Sequence, residues 1–186
     1  MVGVGFLPVA KYKNKLYFLF GKERNRPNET AKGWADFGGG SEEGETKIQT
    51  ASREGAEELC GFLGNRSKIN SMLKKKKVRI ESDDKNYTSF VVPVDYDENL
   101  PKYFNNQIGF LNNYVGKYKL HHTTMYEKQE IKWFSINMLR VHKKKFRTFF
   151  QDVVSKIIKN EKNIKSLFHK KTRKKKKIHN KTFKNK

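Results

Sequence analysis

Apolar positions change their period along the chain, and each change marks an element. Val2–Ala10 and Leu16–Phe20 are short apolar runs rich in branched and aromatic residues. They read as two strands joined by a turn over Lys11–Lys15. The polar stretch Glu23–Lys32, with Pro27 inside it, reads as a loop. Trp34–Phe37 reads as a short strand running into the glycines Gly38–Gly40. From Thr46 to Leu59 the period lengthens: Ile48, Ala51, Gly55 and Leu59 recur at helical spacing, and Gly61 and Gly64 end the helix. Val78–Ile80, Tyr87–Val94 and Ile131–Phe134 read as further strands, with Pro93 suited to a strand end or sheet edge. Asp97–Leu120, rich in Asn and aromatic residues, reads as an insertion containing a short helix. Phe146, Phe149, Phe150, Val153, Val154, Ile157 and Ile158 form an amphipathic helical stripe. We read it as a final helix packed on the core, although a membrane-surface helix has the same pattern. Strands bracketing a helix, then more strands and a last helix, predict an α/β sandwich with the sheet in the middle.

The length of 186 residues suits one domain. The net charge of +22 is unevenly placed: about +5 lies in Met1–Leu139 and +17 in Arg140–Lys186. Beyond Phe168 the chain is Lys-rich with little apolar content and is expected to be disordered. The division is therefore a domain over 1–168 and a basic tail over 169–186. Such asymmetry suggests a polyanionic partner: RNA, an anionic membrane surface or a phosphate-rich substrate. Cys60 is the only cysteine, so no intrachain disulfide is possible. No run approaches the length of a membrane span and no signal peptide is evident, so the expected setting is intracellular: cytoplasmic, or nuclear through the tail.

The stretch Gly38–Gly61 carries the chemistry. Glu54, Glu57 and Glu58 stand at i, i+3 and i+4 and share one helix face. Like charges so placed repel by about a few tenths of a kcal/mol per pair, and folding alone does not ask for them. The repulsion vanishes if the face holds a hard divalent cation. A solvated acidic face would show the same spacing. Arg53 among the acids and Glu45 at the helix mouth favour the metal reading, because Glu45 suits the helix dipole and can hold Arg53. Neutralising one carboxylate of such a cluster should leave stability unchanged or raise it.

These residues resemble the Nudix hydrolase signature, G-x5-E-x7-R-E-U-x-E-E-x-G-U with U a bulky aliphatic residue. Five residues separate Gly39 from Glu45, and Arg53-Glu54 and Glu57-Glu58 follow at the required spacing. Two positions depart from the pattern. Gly55 stands where an aliphatic residue is expected, so the helix there packs loosely or meets a bulky neighbour. Leu59-Cys60-Gly61 follows Glu58, so the last glycine comes one residue late, which shifts the helix exit but not the carboxylates. Trp34–Phe37, Glu130–Phe134 and Phe146–Ile158 resemble the family's approach strand, late strand and closing helix. The wording REGAEELCGFLG and the Asn/Lys-rich composition are similar to members from large DNA viruses.

The resemblance implies a Nudix-like α/β/α sandwich with a mixed central sheet. It also implies hydrolysis of a diphosphate linkage in a nucleoside-diphosphate-X substrate, with Mg2+ or Mn2+ as cofactor. The implied metal ligands are Glu54, Glu57, Glu58 and the Gly38 carbonyl, with Arg53 beside them. The general base would be a helix glutamate, or Glu127 or Glu130 ahead of Trp133. The charge favours RNA, its 5′ cap stacking on an aromatic residue such as Trp34, Phe104 or Tyr114. A free nucleotide, a dinucleotide or a diphosphoinositol polyphosphate is the alternative substrate. A non-catalytic RNA-binding protein on the same scaffold is the alternative class, although it would have no need of the intact charged set.

Overall fold

The computed structural model describes residues 3–24, 32–116 and 126–169. Most of the loop expected over 23–32, the end of the expected insertion and the basic segment from 170 onward lie outside the described residues. The strands are β1 (Gly3–Tyr12), β2 (Lys15–Glu23), β3 (Trp34–Ala35), β4 (Phe37–Gly40), β5 (Val78–Glu81), β6 (Tyr87–Pro93) and β7 (Lys128–Ser135). They form one mixed sheet in the order β3-β2-β1-β6-β5, with β4 on β1 and β7 on β2. The β1–β6 pair is parallel and the other pairs are antiparallel. The helices are α1 (Lys47–Glu58), α2 (Arg66–Lys75), α3 (Leu100–Leu111), α4 (Ile136–His142), α5 (Gln151–Lys159) and α6 (Glu161–Ser166).

The expected β1–β2 turn is tight: Lys13 and Asn14 take φ of 44° and 63°, the geometry of a two-residue hairpin. Strand β6 covers one edge of β1 from Gly3 to Val9. The other edge is shared, β2 taking Val9–Tyr12 and β4 taking Gly3–Phe6. The sheet therefore forks at β1 and places the glycines of β4 beside its first residues.

Alternation along the strands builds two cores, one on each face. Leu7, Val9, Phe18, Phe20, Val91 and Phe134 pack with Leu139 of α4, Val153, Val154 and Ile157 of α5, and Ile164 of α6. Val4, Phe6, Leu19, Phe90, Ile131 and Trp133 pack with α1, α2 and α3 through Ala51, Ile69, Leu73, Phe104 and Ile108. The amphipathic stripe at 146–158 is not one continuous helix: Phe146 is extended, Thr148–Phe150 is a 3-10 turn and the closing helix α5 begins at Gln151. Most of its apolar residues pack in the core, while Phe149 stays 42% exposed. No helix among the described residues is long and apolar enough to cross a membrane.

Three helices were not expected from the pattern: α2, α4 and α6. Helix α2 buries only Ile69 and Leu73, too sparse a stripe to show a period, and is started by the Asn65 side chain accepting from the Lys68 N–H. Helix α4 is short and is capped in the same way by Ser135. The insertion is more ordered than expected, with α3 running for 12 residues from a proline-containing first turn. Asn105 of α3 donates to the Ile131 carbonyl and accepts from the Ile131 N–H, replacing a neighbouring strand at the edge of β7.

Helix α1 starts at Thr46, which forms a capping box with Gln49. Gly55 faces the fully buried Phe6, and a methyl group there would meet its ring at 2.9 Å. The bulky neighbour expected opposite Gly55 is thus Phe6. Alanine normally stabilises a helix interior by about 1 kcal/mol over glycine. Here overpacking against Phe6 outweighs that gain, and Gly55→Ala should destabilise by about 1–2 kcal/mol in urea unfolding. A more stable variant would contradict this packing.

Candidate active site

Helix α1 lies across the glycines of β4, and the two close a cavity of about 790 Å³. Gly38, Gly39, Glu54, Glu57, Glu58 and Glu127 are among its lining residues. The glycines are needed for this close approach. A Cβ at Gly39 would press on the Glu54 carboxylate, and one at Gly38 on the Tyr87 hydroxyl. The helix exits through two left-handed residues, Cys60 at φ 50° and Gly61 at φ 75°. Cys60 thus adopts a positive φ itself, one residue before the late glycine.

Arg53 ties the acidic cluster together. Its guanidinium donates to both Glu45 oxygens at 3.2 and 3.1 Å, to Glu54 at 2.7 Å, to Glu57 at 3.3 Å and to the Gly40 carbonyl at 3.0 Å. The pairing of Glu45 with Arg53 expected from the sequence is present. Arg66, at the start of α2, adds a second cation to Glu45 at 2.9 Å. The hydrogen bonds from Arg53 hold the Glu45 carboxyl down to about 2. Glu54 behaves differently: burial pushes its carboxyl above the usual range, against the pull of Arg53.

Glu58 lines the cavity with the other two carboxylates but lies deeper. It is 4% exposed, accepts the Gly38 N–H at 2.8 Å and pairs with Lys128 at 3.0 Å. Lys128, 1% exposed, also reaches Glu23 at 2.5 Å, and Arg147 reaches the same Glu23 oxygen at 3.1 Å. Burial works against the Lys128 charge, but Glu58 and Glu23 more than offset it and hold the ammonium above its usual range. Among the described residues, no three carboxylate, imidazole or thiol groups are gathered closely enough to enclose an ion by themselves. All three expected carboxylates line the cavity, Glu54 and Glu57 paired with Arg53 and Glu58 with Lys128. Neutralising Glu58 would also strand a buried ammonium, so the expected indifference of stability does not hold at that position.

Beneath the glycines lies a second group that the sequence did not reveal. Asp36, 1% exposed, accepts from the Tyr87 and Ser89 hydroxyls. Burial raises its carboxyl to about 6, against those two hydrogen bonds. A Cβ at Gly5 would collide with this carboxylate, which explains the glycine in the middle of β1.

The remaining candidates divide. Glu127 lines the cavity, and its carbonyl accepts the Arg24 N–H at 2.9 Å. Glu130 lies opposite Lys22 in the β2–β7 ladder and pairs with it at 3.8 Å, both side chains 40% exposed. It is a surface ion pair outside the cavity lining, and the expectation of a base at Glu130 is corrected. Trp34 is 7% exposed and packs edge-on against Phe134 in the core beneath α5. Phe104 is 1% exposed and packs on Phe62. Neither offers a face to a substrate base. Tyr114 does: it is 76% exposed and stacks on Phe110 with ring centres 4.3 Å apart.

No family model matches the sequence, and no curated protein matches it by sequence. The fold does match solved structures. It is similar to a Nudix hydrolase from M. smegmatis, RenU, at 13% identity and a TM-score of 0.53, covering 88% of each chain. It is also similar to a mutT/nudix family protein from Listeria innocua at 18% identity and a TM-score of 0.51, covering 87% of this chain and 94% of that one. At these identities the likeness establishes the fold: a mixed sheet between helical layers, arranged as in Nudix hydrolases.

Arg53 is 12% exposed and bridges the glycine loop, Glu45 and Glu54. Arg53→Ala should lower stability by about 3 kcal/mol, the usual size for breaking a largely buried ion pair. Thermal unfolding checks this, and an unchanged melting temperature would show that the bridge holds nothing.

Proposed function

We propose that this chain is a divalent-cation-dependent hydrolase of a diphosphate linkage in a nucleoside-diphosphate-X substrate. One observation carries the reading: Glu54, Glu57 and Glu127 line one cavity with the Gly38–Gly40 backbone, under a cationic brace at Arg53. Sparse, hard oxygen donors of this kind fit Mg2+ or Mn2+, which share their coordination shell with water and substrate phosphates. Glu54, Glu57 and Glu58, with the Gly38 carbonyl from the same lining, would hold the ion. When bound, such an ion neutralises the diphosphate oxygens and makes water more acidic. Water attacks one phosphorus, the bridging P–O bond breaks, and the leaving phosphate keeps the electron pair. Glu127, which lines the same cavity, would accept the proton from the attacking water. Arg53 positions Glu54 and Glu57 and does not touch the substrate. Residues 1–168 form the catalytic unit in this reading, the setting is intracellular, and the cysteine is free.

The finer reading is a 5′-capped RNA. Gln107 lines the cavity, and Phe110 and Tyr114, three and seven residues further on, form an exposed stacked aromatic pair. Such a pair suits a nucleobase. The basic segment 169–186 would attract the RNA backbone. A nucleotide or diphosphoinositol pyrophosphatase keeps the same cavity and needs neither feature.

The purified protein should hydrolyse at least one of capped RNA, dinucleoside polyphosphates, nucleoside diphosphate sugars or diphosphoinositols with Mg2+ or Mn2+, and not after chelation. Glu57→Gln should lower turnover about a hundredfold, as expected for losing one carboxylate that holds the ion. Its melting temperature should change little, because Glu57 is exposed and its i,i+4 pair with Arg53 is worth only about a few tenths of a kcal/mol. Wild-type rates in that variant at saturating Mg2+ would place the site elsewhere.

Truncation after Phe168 removes ten positive charges. The shortened protein should keep its turnover on a small diphosphate yet bind RNA more weakly, and the difference should shrink as salt rises. Affinity measured across a salt series decides this. Equal affinities and equal salt slopes would reject the RNA role and favour a small phosphorylated substrate.

A further inference from the structure

Arg24 follows β2 directly and is buried, at 5% exposure. It is not among the described residues that line the cavity, yet its bonds go to residues that do. Its backbone N–H donates to the Glu127 carbonyl at 2.9 Å, one step past the Glu23–Lys128 pair of the β2–β7 ladder. Its Nε donates to the Tyr126 carbonyl at 3.0 Å, and its Nη1 to the Asn112 Oδ1 at 2.8 Å. Tyr126 and Glu127 both line the cavity. Tyr126 has a φ of 62°, a left-handed backbone that a side-chain-bearing residue keeps only where its surroundings hold it. Asn112 ends α3 and opens the π-helical turn Asn112–Gly116, between the stacked rings of Phe110 and Tyr114. One side chain thus joins the segment that carries Glu127 to the helix end that carries the exposed aromatic pair. The planar guanidinium suits this work, because its donors form a rigid fork that serves two acceptors at once. A lysine ammonium is a single point charge on a flexible stem.

We propose that Arg24 is a positioning residue of the reaction: it fixes where Glu127 stands relative to the end of α3. The proposal rests on the reading of Glu127 as the group that takes the proton from water. Arg24 acts through its neighbours and does not touch the substrate. Its backbone and Nε bonds hold the two carbonyls from which Tyr126 and Glu127 project, and a misplacement of about 1 Å in a reacting group can cost about a hundredfold in rate. Its Nη1 bond holds the last turn of α3 and the rings on either side of Asn112, which bear on binding more than on turnover. The two arms therefore have separable effects. Loss of the whole side chain reaches kcat through Glu127, and loss of the Asn112 amide reaches KM.

The test combines steady-state kinetics on the cap dinucleotide GpppA with Mg2+ and backbone amide hydrogen exchange, both on the full chain. The variants are Arg24→Lys, Arg24→Met, Asn112→Ala, Glu127→Gln and the double variant Arg24→Met/Glu127→Gln. Arg24→Met should lower kcat by about thirtyfold or more, and Arg24→Lys should recover part of the loss. In the Glu127→Gln background the same Arg24→Met change should lower kcat by no more than about threefold, because the group it acts through is already gone. Asn112→Ala should raise KM more than it lowers kcat. Exchange should quicken over 112–116 and 126–128 in Arg24→Met, and over 112–116 alone in Asn112→Ala. Independent kcat losses that multiply in the double variant would overturn the proposal, as would unchanged exchange over 126–128 in Arg24→Met. If Arg24→Met does not fold, Arg24→Lys passes through the same cycle. Wild-type kcat in Glu127→Gln would remove the reading of Glu127 and with it the kinetic claim, and quickened exchange would then still show Arg24 anchoring both segments. Wild-type protein that cleaves no GpppA would count against the cap reading, and exchange alone would decide the anchoring.

Discussion

A buried ammonium lies between two carboxylates where β7, β2 and the end of α1 meet. Lys128 reaches Glu58 and Glu23, and Glu58 in turn holds the Gly38 N–H. A charge taken out of water is tolerated only when it is paired, and removing one partner of such a pair typically costs about 3–5 kcal/mol. That requirement reaches into the neighbouring structure. Gly21 must leave room for the lysine stem, β7 must bulge to aim it, and α1 must end where Glu58 can meet it. Once these conditions are met, the glycines of β4 are held against the carboxylate face of α1, and Arg53 closes the same contact from the outer side. The cavity is what remains between them.

Much of this was readable from spacing. The strand periods located β1, β2, β6 and β7, and the helical period located α1 and the closing helix, because each buries one regular stripe. The positions of Arg53, Glu54 and Glu57 followed from the i, i+3, i+4 rule, and Glu45 from its place at the helix mouth. These are local relations, and the sequence carries local relations directly. Helix α2 escaped because Ile69 and Leu73 alone anchor it.

The parts that escaped at the site are long-range. In the sequence Lys128 is one lysine among many beside two acids. Only the bulge at Gln129 and the gap at Gly21, more than a hundred residues earlier, turn it inward. Asp36 looks like a loop acid until Tyr87 and Ser89 arrive from β6. Trp34 failed as a substrate platform for a related reason. An aromatic residue next to a glycine loop suggests a ligand, but β3 pairs with β2 and points the indole at Phe134 in the opposite core. At Gly55 the sequence left loose packing and a bulky neighbour both open, and Phe6 decides for the second.

The reading of the cavity as a divalent-cation site is best tested by anomalous diffraction from crystals grown with Mn2+ and a non-hydrolysable diphosphate. We expect an anomalous peak in the cavity, bonded to carboxylate oxygens of the α1 glutamates and to phosphate oxygens. No peak in the cavity while the diphosphate is bound, or a peak remote from α1, would contradict it.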